Sequence, residues 1–276
     1  MLLASHLACP TGLGSLTVLP LPARSAPALP PTGERTAPGL PDEEYWFARH
    51  EVAYAWITRR FAELISAGIV ADAGAGEGYG TAWLREADPR SVIAWEYDEA
   101  ACLHATRTYP ETAMVRANLD ALPARDSTID LIACCQVIEH LWDLPRFLRE
   151  CSRVLRPGGA LIVTTPNRLT FSPGLGRCAK PVNPFHVEEF DAEQVGSLMR
   201  AAGFVGIEVL GLDHADRIDA WEQDNGSIVA AQVAAVLGDH LPPDLRDFIR
   251  TVNRDDFTVG SASDSAADLI GIGFAP

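Results

Sequence analysis

Lysine is nearly absent from this chain: among 22 Lys and Arg residues, Lys180 is the single lysine. The formal net charge is -15, and no basic run interrupts that acidic balance. A nonspecific grip on nucleic acid needs a positive surface, so no nucleic-acid partner is expected. The six cysteines (Cys9, Cys102, Cys134, Cys135, Cys151, Cys178) contain no CxxC spacing. That argues against a zinc site or a disulfide framework and fits a reducing cytoplasm. Residues 1–21 lack a basic leading segment, and Pro10, Gly12, Gly14 and Pro20 interrupt their apolar character. They read neither as a signal peptide nor as a membrane helix, and no integral membrane segment is expected.

Apolar residues make up 47% of the 276 residues, enough for one large domain with an insertion. Residues 1–40 are rich in proline and alanine and read as a flexible arm. Order is expected from Pro41, with Asp42 capping a helix that runs to Ile65. A βα alternation follows. Strands are expected at Ile69–Ala73, Ser91–Trp95, Ala113–Arg116, Ile129–Cys135, Ala160–Thr165 and Phe204–Leu210, with a last one at Leu269–Phe274. Helices are expected at Gly80–Glu86, Glu99–Tyr109, Leu144–Leu155 and Glu193–Ala202. Short apolar strands alternating with helices predict an α/β fold with a doubly wound, mostly parallel, seven-stranded sheet. Residues 41–212 and 269–276 form its core. Residues 213–268 form a helical insertion before the last strand, over the crevice at the strand ends.

The most informative segment is Asp72-Ala73-Gly74-Ala75-Gly76-Glu77-Gly78-Tyr79-Gly80. Glycines there let backbone approach a ligand and adopt positive φ. The spacing does not match the dinucleotide fingerprint G-x-G-x-x-G. A pyrophosphate would also be repelled by Asp72 and Glu77, whereas a sulfonium and an ammonium would be attracted. Charge therefore favours S-adenosylmethionine. Polar stations follow the later strands. Glu96 ends the second, where an acid can accept from a ribose diol, with Tyr97 beside it. Asn118 and Leu119 follow the third and could meet an adenine edge and face. Gln136 follows the fourth, and His50 in the first helix could close over the methionine end.

These segments together resemble the class I S-adenosylmethionine-dependent methyltransferases over residues 43–212. Asp72 to Gly78 is similar to the family's first motif, Ile93 to Asp98 to its ribose-binding motif, and Asp130-Leu131-Ile132 with Glu139-His140-Leu141 to its fourth. Asn118 stands where the family usually has Asp. The resemblance implies cofactor contacts from His50, Asp72, Gly74, Gly76, Gly78, Glu96, Tyr97, Asn118, Leu119 and Gln136. Arg49-His50, Tyr54 and Phe185-His186-Val187-Glu188-Glu189-Phe190 resemble actinobacterial enzymes that methylate sugars, polysaccharides or glycolipid precursors. The expected reaction is O-methylation of a carbohydrate hydroxyl, such as one in a methylglucose lipopolysaccharide or its glucan precursor.

A sugar hydroxyl must lose its proton near the transition state, and His140, His186 or Glu139 can accept it. Related sugar enzymes sometimes use magnesium, and Asp213, Asp216 and Asp219 are spaced for one helix face. An acidic solvated helix is the preferred reading, so no metal ligand is assigned. Trp221 could stack on a sugar or anchor a lid. Ile228, Val229, Val233, Val236 and Leu237 recur at helical spacing and would suit a homodimer surface. The competing functions are a quinone or natural-product methyltransferase, with a more apolar acceptor pocket, and a noncatalytic S-adenosylmethionine-binding module.

Overall fold

The computed structural model describes residues 36–276. Most of the arm expected at 1–40 lies outside them, as does Cys9. Eight strands form one sheet: β1 (Ile69–Ala73), β2 (Ser91–Glu96), β3 (Ala113–Arg116), β4 (Ile129–Cys135), β5 (Leu155–Pro166), β6 (Val205–His214), β7 (Phe257–Ser261) and β8 (Asp268–Phe274). Their order is β3-β2-β1-β4-β5-β8-β6-β7. β1 to β5 pair in parallel; β8 is antiparallel to both β5 and β6, and β7 is antiparallel to β6.

The central strands form where apolar residues can serve both faces. β4 is buried at all seven positions. Its side chains alternate: Leu131, Ala133 and Cys135 enter one core cluster, Ile132 and Cys134 the other. The first cluster holds the aromatic face of α1 (Glu44–Arg60), together with α3 (Tyr79–Glu86) and, from the insertion, α9 (Ile228–Val236) and α10 (Pro243–Ile249). The second holds α5 (Leu144–Val154) and α7 (Ala192–Ala201). α2 (Ala62–Ser66), α4 (Glu99–Thr108), α6 (Arg168–Phe171) and α8 (Asp216–Asn225) complete the described helices. Gly203 (φ 93°) follows α7, as expected of a glycine closing that helix.

The sheet gains a strand over the expected seven. β6 runs four residues past the expected Leu210 end, and β7 pairs with that extension between Leu210–Ser261 and His214–Phe257. Only Phe257 of β7 is buried, so apolar patterning could not reveal it. The first helix also differs. It breaks at Phe61, and Asp42, in positive φ, does not cap it; its carboxylate instead receives Arg250 at 2.7 Å. Residues 213–268 thus hold three helices and one strand. Within them Trp221 stacks on Phe248 at 5.1 Å, the anchor alternative of the two. Ile228, Val229 and Val233 are buried against the chain itself, which leaves Val236 and Leu237 as the exposed pair of that series. No described helix is long and apolar enough to cross a membrane.

Candidate active site

The glycine turn joins β1 to α3. Gly74, Gly76 and Gly78 all have positive φ (79°, 52°, 90°), and Gly78 sits in the left-handed region at the start of α3. A Cβ on Gly74 would lie 2.4 Å from Val137, so this turn is pressed against the end of β4. A Cβ on Gly76 would meet nothing within 4 Å. The open side of the turn is therefore at Gly76, where its amide donates to Glu96 Oε2 at 2.8 Å. Glu96 Oε1 accepts from Asp98 N at 2.8 Å. Two backbone donors orient this carboxylate at the rim of the turn, and each oxygen keeps a second lone pair for a diol.

Asp72 lies one layer below, fully buried. Its oxygens accept from Tyr54 at 2.8 Å and Thr81 at 2.6 Å. Burial pushes its pKa up to about 6, against the lowering effect of the Thr81 and Tyr54 hydroxyls. Asp72 thus ties α1 and α3 to β1 under the glycine turn. Gly80 exists for the same junction, because a Cβ there would sit 2.1 Å from the Tyr54 ring.

His50 shares a 2.6 Å hydrogen bond with Tyr79. Burial, and secondarily the Arg49 charge, push its pKa down to about 3, so the imidazole is neutral at physiological pH. Asn118 is exposed, its Oδ1 accepting from Asp120 N, and Leu119 is buried in the second core cluster. Tyr97 is 69% exposed beside Glu96. These three lie beyond the Glu96 rim, at the ends of β2 and β3.

On the other side of the turn a cavity of about 100 Å³ opens at the C-terminal ends of β4 and β5. Arg49, His50, Gln136, Glu139, His140 and His186 all line it, and Val236 reaches it from α9. Gln136 takes positive φ (57°), its amide N–H donating to Thr164 O at 2.9 Å. A 3-10 turn, Ile138–His140, follows. Glu139 is 1% exposed and accepts from Thr165 Oγ1 at 3.0 Å. Burial raises its pKa above the ordinary carboxylate range, while His140 and His186 act in the opposite sense. The Glu139 carbonyl accepts from Val187 N at 2.7 Å, which clamps the segment carrying His186 onto the end of β4. The rings of His140 and His186 are 5.1 Å apart, edge to face. Two candidate bases 46 residues apart in sequence are thereby brought side by side.

Arg49 went unassigned in the sequence reading. It is 3% exposed, donates from Nε to Asp268 Oδ2 at 2.7 Å and from Nη2 to Asp268 Oδ1, and faces Gln136 Oε1 at 3.4 Å. Its guanidinium lies 4.9 Å from the Trp46 ring and 5.1 Å from Phe171. Burial opposes the charge, but Asp268 more than offsets this and raises its pKa. A signal existed: Arg49 falls at the buried spacing of Tyr45, Ala48, Val52 and Ala53, and a buried arginine requires a counter-ion. Asn183 and Glu189, both hydrogen-bonded to His186, were likewise unassigned.

The described residues bring together a turn that admits a ligand at Gly76, an oriented acid for a ribose, and an acidic layer below. A cationic, ribose-bearing cofactor fits these donors and charges. Residues 71–163 match the model of the "Methyltransferase domain" family. A probable S-adenosylmethionine-dependent methyltransferase of Mycobacterium tuberculosis is 45% identical over 252 residues, covering 89% of each chain. One from Mycolicibacterium smegmatis is 43% identical over 256 residues, covering 90% of this chain and 96% of its own. An S-adenosylmethionine-dependent methyltransferase of Thermotoga maritima shares the fold, with a TM-score of 0.58 at 20% identity over 85% of this chain and 95% of its own. The chain is an enzyme that uses S-adenosylmethionine, and it belongs to the family of S-adenosylmethionine-dependent methyltransferases.

Proposed function

We propose that this enzyme methylates a hydroxyl of a carbohydrate or glycolipid precursor, the glucan of a methylglucose lipopolysaccharide being the specific form of that reading. The observation that carries it is the character of the cavity beside the cofactor turn. Its wall presents Arg49, Gln136, Glu139, His140, Asn183 and His186. These groups sit among Trp46, Phe171, Val233 and Val236 and already have partners in the protein, Arg49 in Asp268, Glu139 in Thr165 and His186 in Glu189, so the reading rests on their remaining donor and acceptor capacity. A polyhydroxylated acceptor offers both donors and acceptors to them.

S-adenosylmethionine supplies a methyl group already activated on a sulfonium, so the protein's tasks are orientation and proton removal. In this reading Gly76 and Glu96 hold the ribose side, and His50 and Gln136 border the methionine side. Glu139, His140 and His186 face the acceptor hydroxyl. Two exposed aromatic residues flank that cluster in sequence. Trp142, 91% exposed, lies two residues beyond His140, and Phe185, 45% exposed, precedes His186. Such rings suit the apolar face of a sugar, a role the Trp221–Phe248 stack leaves open. Helices α8 to α10 form the acceptor-side cover.

The test is transfer of label from S-adenosylmethionine into glucans, short glucosides and quinone precursors. Label in glucan supports the reading, and its position identifies the hydroxyl. Label in quinone precursors alone, or none in any glycan while the protein binds its cofactor in calorimetry, refutes it.

A further inference from the structure

Three ligating side chains meet at the C-terminal end of β4. Glu139, His140 and His186 each offer an atom within 4.8 Å of the other two. Each is oriented from behind. His140 Nδ1 lies 3.2 Å from the Phe185 carbonyl, which can only accept, so Nδ1 carries a proton. In the neutral ring the lone pair is then at Nε2, which lies 3.9 Å from Glu139 Oε1. Glu139 Oε2 is the oxygen that accepts from Thr165, which leaves Oε1 on the histidine side. His186 Nδ1 donates to the Glu189 carboxylate at 2.7 Å, which puts the lone pair of that neutral ring at Nε2 as well. Asn183 Nδ2 is 3.1 Å from it.

Two imidazole lone pairs and a carboxylate oxygen thus converge in a site that is largely withdrawn from water. Like-signed charge density at this range is unfavourable at low dielectric, and a cation reverses its sign. A carboxylate or carbonyl behind each imidazole is also the support that aims a histidine at a metal.

We propose that Glu139, His140 and His186 bind a single divalent first-row transition ion of the zinc, cobalt or manganese class. Two nitrogen donors and one oxygen suit these ions, whereas magnesium and calcium favour all-oxygen sites. All three side chains line the cavity shared with Arg49 and Gln136. Asn183 yields its contact with His186 Nε2 when the ion enters. The role of the ion rests on the carbohydrate reading above: an acceptor hydroxyl takes an open position and its pKa falls.

The rival location is the other described group with metal-ligand spacing, His214, Asp219 and Glu222. There Asp219 is exposed and neither His214 nor Glu222 is buried, whereas Glu139 and His186 of the first group are both buried.

The test uses the full chain, stripped with chelator and titrated with Co²⁺ under visible absorption and calorimetry. A single saturable Co²⁺ site that Zn²⁺ displaces is expected. Glu189→Gln, which alters only the support behind His186, should weaken Co²⁺ binding by about 10–100-fold. His140→Ala and Glu139→Gln should weaken it further. His140 is 31% exposed, so its alanine variant retains the fold, and unchanged S-adenosylmethionine affinity verifies this. Absence of saturable uptake overturns the proposal. So does uptake that survives both His140→Ala and Glu139→Gln but disappears in His214→Ala. Glucan methylation by protein that takes up no Co²⁺ overturns the ion and leaves the carbohydrate reading intact. A Co²⁺ site of the expected behaviour with no transfer to any glycan supports the ion and refutes the carbohydrate reading.

Discussion

Asp72 and His50 titrate in opposite senses around the same junction. The folded Asp72 pKa is about 6 against an ordinary 3.8. Between those values the folded chain holds more protons than the unfolded one, so this group's contribution to stability falls as pH rises. The folded His50 pKa is about 3 against 6.5. Over that window the unfolded chain holds more protons, so stability is lost as pH falls. From about pH 4 to 6 the two slopes oppose each other. Asp72→Asn should therefore steepen the loss of stability on acidification, and His50→Gln should make it shallower. Urea midpoints across that range read both, and variants that merely parallel the parent would refute the assignment. At the cluster proposed to face the acceptor, His140→Ala should lower kcat by about 10²-fold or more with cofactor affinity unchanged. Full turnover at saturating carbohydrate would remove His140 from the chemistry.

Elements differ in how far each can be altered, and the glycine turn shows the contrast. Gly74→Ala adds a Cβ in positive φ at 2.4 Å from Val137, and should destabilise the fold by about 1–3 kcal/mol through overpacking. Gly76→Ala carries the same positive-φ strain but adds its Cβ in open space, so it should cost less stability than Gly74→Ala and have its larger effect on S-adenosylmethionine affinity. Denaturant melts and calorimetry on the two variants separate these effects; equal losses of stability would contradict the geometry. β1, β3 and β4 begin and end where the sequence reading puts them; for β1 and β4 the reason is the continuous apolar run that marks a buried parallel strand, whereas β3 buries no side chain and lies at the sheet edge. β7 was not legible, since it is held by backbone pairing to β6 and buries one side chain. The glycine turn was legible as a motif, and His140 and His186 were legible as separate candidates, their proximity being set by the fold. Arg49's counter-ion was not, because Asp268 stands 219 residues away and nothing local announces it.

On the scale of the whole molecule, Arg49 and Asp268 join the first described helix to the last strand. Asp268→Asn leaves a buried guanidinium without its compensating charge and should cost about 3–5 kcal/mol. The melt of that variant should also be accompanied by weaker cofactor binding, since Arg49 faces Gln136. A loss below about 1 kcal/mol, the range of exposed ion pairs, would contradict the burial of the pair. The position of β8 has a consequence for synthesis. It is made after every other described strand, yet it lies between β5 and β6. While a nascent chain is still short of Asp268, β6 has no neighbour linking it to the growing sheet, and Arg49 has no counter-ion. Strands β1 to β5 can assemble early on the ribosome, but the cavity lined by Arg49 closes only once β8 has emerged. A ribosome stalled before β8 therefore presents a chain in which methyl-donor recognition is built and the cavity that needs Arg49 is not.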